Sequence, residues 1–194
     1  MTRDLNELIP QRHGHFEFES GHHGDTWLDL ELLFQRPSLI RPHAERLADA
    51  IRQSAVEVIC GPLVEGAFVG QMVAEALDVE FVYTTPEAKT TGEGLFPVVY
   101  RLPSVARSLL KGKRMGIVND VINAGSSVRG TLDELHSIEA VPVAIATLMT
   151  LGDAAEQLSS QWELPLLNLA HQEIGIWTPE ECPLCRDGIG MTAS

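Results

Sequence analysis

The sequence predicts an α/β fold, a parallel sheet with helices packed on both faces. Three observations carry this expectation. Short apolar, β-branched runs alternate with longer stretches of helical periodicity, the order expected of successive βαβ units. Glycine-bearing turns lead from two of those runs directly into helical stretches. The residues best suited to chemistry, in Cys60-Gly61-Pro62, Tyr83-Thr84 and at Asp120, all stand where a run ends, and open parallel sheets bind ligands beyond the carboxyl ends of their strands.

Taken in order, residues 15–34 read as short strands and 37–54 as an amphipathic helix, so that 15–55 forms an N-terminal cap. The first core strand is expected at 56–60, an apolar helix at 66–77 and a second strand at 79–83. The connection over 84–114 is long and holds Pro86, Gly92, Gly94, Pro97 and Pro103. Insertions of this kind at a ligand edge commonly act as lids. A third strand is expected at 115–119 with a helix from Ser127, a fourth strand at 141–149, a helix over 153–161 and a fifth strand at 165–170. A tail over 178–194 carries Cys182 and Cys185.

The totals narrow the function. The 194 residues, 44% hydrophobic, suit a single domain over 1–194. With 14 basic and 27 acidic residues the net charge is -13, which repels nucleic acid and acidic membranes. No run approaches the ~18 apolar residues of a membrane span, and the first twelve residues contain acids rather than the apolar core of a signal peptide. Three cysteines do not make a disulfide framework. The expectation is a cytoplasmic protein that handles a small molecule, with neither nucleic acid nor membrane as partner.

The stretch 117–127 is the most specific. An apolar run ends at Asn119-Asp120, and Asn123-Ala124-Gly125-Ser126-Ser127 follows at the start of a helix. Unpaired N–H groups at a helix start, with the helix dipole behind them, attract an anion such as phosphate. Gly125 permits close backbone approach, and Ser126 and Ser127 add hydroxyl donors. Asp120, an anion beside a phosphate, suits sugar hydroxyls or a metal-bound water. A second strand-to-helix turn, Cys60-Gly61-Pro62-Leu63-Val64-Glu65-Gly66, forms another cradle. Ala67 follows Gly66 where a P-loop has lysine, so nucleoside triphosphate binding by that mechanism is excluded, and no Gly-x-Gly-x-x-Gly is present.

These motifs resemble type I phosphoribosyltransferases, most closely orotate phosphoribosyltransferases. Residues 118–127 resemble the loop of that family that binds 5-phosphoribosyl diphosphate (PRPP). Residues 60–66 resemble its pyrophosphate loop. His15-Phe16, Ser20-Gly21, His23, Asp25, Trp27 and Asp29 are similar to an N-terminal pattern of one branch, with Trp27 at a usual Tyr. The resemblance implies a Rossmann-like parallel sheet with helices on both faces, a hood insertion over 84–101 and an N-terminal cap. It implies transfer of ribose 5-phosphate from PRPP to a nucleobase, with Mg²⁺ arriving through PRPP, and a homodimer. Asn119, Asp120, Asn123, Ala124, Gly125, Ser126 and Ser127 would hold the 5-phosphate and ribose. Gly61, Pro62, Glu65 and Gly66 would hold the pyrophosphate, and Asp120 and Lys89 would be catalytic.

Several positions depart from the family pattern. Only Lys89 and Gly92 match the hood, where Thr85, Pro86 and Thr91 replace an Arg, a Lys and a His. Asn119 replaces an acid, and Asn123 replaces the Thr that touches the base. No Lys or Arg lies between Arg129 and Arg186, where the family pairs the orotate carboxylate, and an unpaired buried carboxylate is costly. The alternative reading is therefore a PRPP-binding regulatory protein of the same fold with catalysis lost. Cys182-Pro183-Leu184-Cys185 has the spacing of half a zinc site. Its missing ligands could come from a second copy or from His171; otherwise it is a tail turn with two reduced thiols. The histidines His13, His15, His22 and His23 read more simply as hairpin surface than as ligands.

Overall fold

The computed structural model describes residues 4–88, 95 and 97–193. At its centre is a six-stranded sheet built from β3 (Val58–Pro62), β4 (Glu80–Ala88), β5 (Val98–Arg101), β6 (Arg114–Ile122), β7 (Val141–Leu151) and β8 (Leu166–Gln172), in the order β5-β4-β3-β6-β7-β8. β4, β3, β6, β7 and β8 are mutually parallel, and β5 alone runs antiparallel, against β4. The central strands are buried on both sides, so side-chain alternation sends neighbours into two cores. Ile59 and Val118 enter one core with Ile40, Leu47 and Ile51 of α3 (Pro37–Ile51) and Val69 and Val73 of α4 (Glu65–Leu77). Cys60 and Ile117 enter the other with Leu132 and Leu135 of α6 (Ser126–Ser137) and Ala155 and Leu158 of α7 (Ala154–Trp162). Each fully buried Leu or Ile contributes about 2–3 kcal/mol by its removal from water. Pro37 starts α3 at a position where its missing N–H costs nothing, and Asp78 in the left-handed conformation ends α4.

The expected strands are present; the first is displaced, from 56–60 to Val58–Pro62, and the others have longer bounds. The third does not stop at Asn119: β6 continues through Asp120 to Ile122, because Val121 and Ile122 pair with Met149 and Thr150 of β7. The connection after 83 is not irregular at its base. β4 runs on to Ala88 and pairs with β5, while α5 (Ser104–Arg107) follows the return arm. That arm is pinned by Glu134 of α6, a fully buried carboxylate that accepts from the Leu102 N–H at 3.1 Å, Arg101 at 3.0 Å, and Arg107.

The N-terminal region begins with the short α1 (Leu5–Leu8), followed by β1 (Gln11–Glu17), β2 (His23–Leu28) and α2 (Leu30–Phe34). β1 and β2 form an antiparallel hairpin, and the tail adds a third strand, β9 (Ile176–Trp177), against β2. The tail then closes with α8 (Pro183–Arg186) and runs alongside β1, where Thr192 donates from its N–H to His15 at 2.6 Å. Among the described residues no helix is long and apolar enough to cross a membrane.

Candidate functional site

The chain passes from β3 outward to β4 and then crosses back to β6 on the other side of β3. Two loops therefore leave adjacent strand tips in divergent directions and open a crevice between them. The loops after β3 and β6 border a single cavity of about 280 Å³. Pro62, Leu63, Glu65 and Gly66 line one side, and Asn119, Asp120 and residues 123–127 the other. Larger hollows of about 440 and 600 Å³, around Phe34 and Phe68 and around Arg12 and Trp27, include neither Asp120 nor the 123–127 loop.

Gly125 occupies the first capping position of α6 with φ +78°, a conformation that L side chains rarely adopt, and no side chain among the described residues caps the helix. The first N–H groups of α6 are thus available at the cavity wall. Asn123 Oδ1 is buried there without a hydrogen-bond partner among the described residues, an acceptor that a ligand N–H or O–H would satisfy. Gly66 serves the opposite wall. A side chain on it would collide with Asn119 Oδ1 and crowd Pro62 Cγ at 3.1 Å, so glycine is what lets the two loops meet. Gly61 does not line the cavity. It lies in β3, and a Cβ there would sit 2.7 Å from Ala67 Cα, so its part is to seat the start of α4.

Asn119 Nδ2 donates to the Val121 carbonyl at 2.9 Å and to Ser127 Oγ at 3.1 Å. Ser127 accepts that bond and keeps its own hydrogen for a ligand. Thr147 Oγ1 donates to the Asp120 carbonyl at 2.9 Å and steadies the strand tip. The Asp120 carboxyl is pushed up from 3.8 to about 7. Burial is the main cause; the Val121 N–H opposes it, and the charge of Glu65 adds to it. Neither Asp120 nor Glu65 forms an ion pair with the described residues. Two carboxylates facing one small cavity, with oxygen donors only, form a setting that fits a hard cation.

Sequence reasoning missed several residues of this site. Phe18, Glu19 and Tyr100 line the same cavity. Glu19 accepts from Ser126 Oγ at 3.0 Å and from the Tyr100 hydroxyl at 2.9 Å, which places a carboxylate against the expected phosphate cradle. Burial first, then Glu19, push the Tyr100 hydroxyl upward, so Tyr100 remains a donor. Glu19 and Ser126 are 107 positions apart, and no local pattern joins them.

Lys89 lies outside the described residues. Cys182 and Cys185 do not border the cavity. His171, one of the two sources of a further ligand considered from the sequence, is instead engaged by Thr150 Oγ1 at 2.9 Å and Glu173 at 3.0 Å, because β8 pairs with β7 and carries it there.

Known proteins resemble this chain in sequence and in fold. Residues 35–175 match the model of the phosphoribosyl transferase domain family. An orotate phosphoribosyltransferase of Caldanaerobacter subterraneus subsp. tengcongensis is 26% identical over 178 residues, covering 92% of this chain and 86% of that protein. One from Pelotomaculum thermopropionicum is 28% identical over 196 residues, covering 97% and 95%. Among solved structures, adenine phosphoribosyltransferase from Thermoanaerobacter pseudethanolicus superposes with a TM-score of 0.67 at 20% identity, over 86% of this chain and 97% of that one. Orotate phosphoribosyltransferase from Aeropyrum pernix superposes with a TM-score of 0.63 at 22% identity, over 86% and 90%.

Proposed function

Since the chain belongs to the phosphoribosyl transferase family, we propose that it transfers ribose 5-phosphate from PRPP to a ring nitrogen of a nucleobase and releases pyrophosphate. Its fold is the type I phosphoribosyltransferase fold shared with the adenine and orotate enzymes above. The observation that supports the reading best is the single cavity walled by two helix-start loops, with Asn119 and Asp120 between them. PRPP carries an anionic group at each end of a ribose, and the two loops match its two ends.

In this reading residues 123–127 hold the 5-phosphate through backbone N–H groups and Ser127, and Pro62, Glu65 and Gly66 border the pyrophosphate. Asn119 and Asp120 face the ribose hydroxyls. As the C1–oxygen bond breaks, its electron pair leaves with pyrophosphate and positive charge grows on the sugar. The ionised Asp120 carboxylate favours that charge, and the base nitrogen then bonds to C1. Mg²⁺ entering with PRPP would be held near Asp120 and Glu65, and when bound it supplies charge neutralisation for the departing pyrophosphate. Lys89 of the insertion is proposed to serve the same leaving group.

The base we favour is one without a carboxylate. The absence of Lys and Arg from residues 130–185 leaves no cation on the strands and loops after α6 to pair with orotate. The named relatives include orotate enzymes, so orotate belongs in the same assay. The test is calorimetric titration with PRPP and Mg²⁺, followed by a pyrophosphate-release assay over a panel of bases. Binding with release supports the transferase. Binding with no release from any base supports the PRPP-responsive regulator, which the thin hood and the amide at Asn119 favour. Failure to bind PRPP overturns both.

A further inference from the structure

The residues His15, His23, Cys182 and Cys185 lie apart from the cavity lining, and we propose that they form a tetrahedral zinc site that clamps the C-terminal tail to the N-terminal hairpin. One ligand atom from each residue lies within 4.8 Å of all the others. His15 comes from β1, His23 from β2, Cys182 precedes α8 and Cys185 lies within it. The first three are buried.

Four of the six spacings between the ligand atoms approach the edges of a metal tetrahedron. With metal–nitrogen bonds of about 2.05 Å and metal–sulfur bonds of about 2.3 Å, tetrahedral edges are about 3.3 Å for N···N and about 3.5 Å for N···S. His15 Nε2 lies 3.2 Å from His23 Nδ1, 3.5 Å from Cys182 Sγ and 3.6 Å from Cys185 Sγ, and Cys185 Sγ lies 3.2 Å from His23 Nδ1. Hydrogen bonds join these atoms two at a time, whereas a metal gathers all four. His15 Nδ1 contacts the Ile189 carbonyl at 2.7 Å, a contact that requires the proton on Nδ1. A neutral His15 then turns a bare lone pair at Nε2 toward three other ligand atoms. Thiol hydrogens can satisfy the two ring nitrogens pairwise, Cys182 to His15 and Cys185 to His23, yet the nitrogens then face each other at 3.2 Å with no proton between them. A single divalent cation at the centre satisfies all four atoms at once, and the Ile189 carbonyl is then the outer partner that fixes the ligand's tautomer.

The donor set selects the metal. Two thiolates and two imidazoles are a borderline-soft N₂S₂ set, suited to Zn²⁺ and unsuited to Mg²⁺ or Ca²⁺. Binding converts two thiols to thiolates and releases two protons, and two thiolates with Zn²⁺ are neutral, which burial requires. The clamp joins segments 167 positions apart. It also anchors both arms of the hairpin whose turn carries Phe18, Glu19 and Ser20 to the cavity wall.

The untagged protein, purified under reducing conditions from zinc-supplemented cells, is expected to hold about one zinc per chain by mass spectrometry of the metal. Reduced, metal-stripped protein given Co²⁺ is expected to show the visible absorption of tetrahedral cobalt with a near-ultraviolet thiolate charge-transfer band. Cys185→Ser and His23→Gln should weaken that spectrum or abolish it, while Cys60→Ser, on a core strand outside the cluster, should leave it intact. Wild-type protein folded by circular dichroism yet lacking both zinc and the cobalt spectrum overturns the site. So does a Cys185→Ser variant with an unchanged cobalt spectrum. None of these readouts depends on PRPP.

Discussion

Replacing Asp120 by Asn should stabilise the protein while weakening its binding of PRPP. The carboxyl rises from 3.8 to about 7 on folding, a difference of about three pH units. At about 1.4 kcal/mol per unit, keeping this group ionised costs the folded state up to about 4 kcal/mol near pH 8. The carboxylate borders a solvent-accessible cavity, so roughly half of that, about 2 kcal/mol, is the expected cost. The sign follows from proton binding. Between pH 3.8 and about 7 the folded state holds the proton more tightly than the unfolded chain, so this group's contribution to stability is largest at low pH and is lost as pH rises through the folded value. Asn has the same shape and no charge, and its side-chain oxygen can still accept from the Val121 N–H. For a chain of this length 1 kcal/mol corresponds to about 2–4 °C, so the variant should melt roughly 4–8 °C higher at pH 8. The gap should narrow by about half near pH 4.5 and close only below pH 3.8, where the folded and the unfolded chain both hold the proton. Calorimetric melting of both proteins across this range measures the effect, and titration with PRPP should show affinity down by about 10-fold or more in the same variant. A melting difference that does not vary with pH, or a variant less stable at pH 8, would refute the reasoning about burial. Unchanged PRPP affinity would remove Asp120 from the site.

Three further outcomes follow from other contacts. Gly66→Ala should lower PRPP affinity at least about 10-fold in calorimetry and cost about 1–3 kcal/mol in urea unfolding, because its methyl meets Asn119 Oδ1 and Pro62. Glu19→Ala should tighten PRPP binding several-fold, since it removes a carboxylate that competes with phosphate for Ser126; weaker binding would mean that Glu19 serves the ligand instead. Glu134→Ala should cost about 2 kcal/mol in urea unfolding, less than a wholly buried ion pair because Arg101 and Arg107 can reach water, and a neutral result would show that the β5 arm is held by packing alone.

Much of the sheet was legible in the sequence because its signals are local. Strands at 56–60, 79–83, 115–119, 141–149 and 165–170 all correspond to observed strands, since an apolar β-branched run announces itself within a few residues. The two loops were legible for the same reason: a glycine at or beside a helix start is a signal of short range. Strand ends were less so. Ile122 belongs to β6 because β7 offers it a partner, and β4 reaches Ala88 because β5 returns beside it. Those partners are remote in sequence, and pairing decided the bounds.

The thiol pair and the histidine-rich hairpin were each visible in the sequence, and each reads on its own as an incomplete or ordinary feature. Local spacing specified the parallel strands, the glycine turns and the acid between them, because side-chain period and backbone conformation are properties of adjacent residues. Folding alone decided that Glu19 meets Ser126 and that His15 and His23 meet Cys182 and Cys185, because the ends of the chain come together only when β9 completes the N-terminal hairpin. Such contacts arise from packing across the whole chain, which no window of sequence contains.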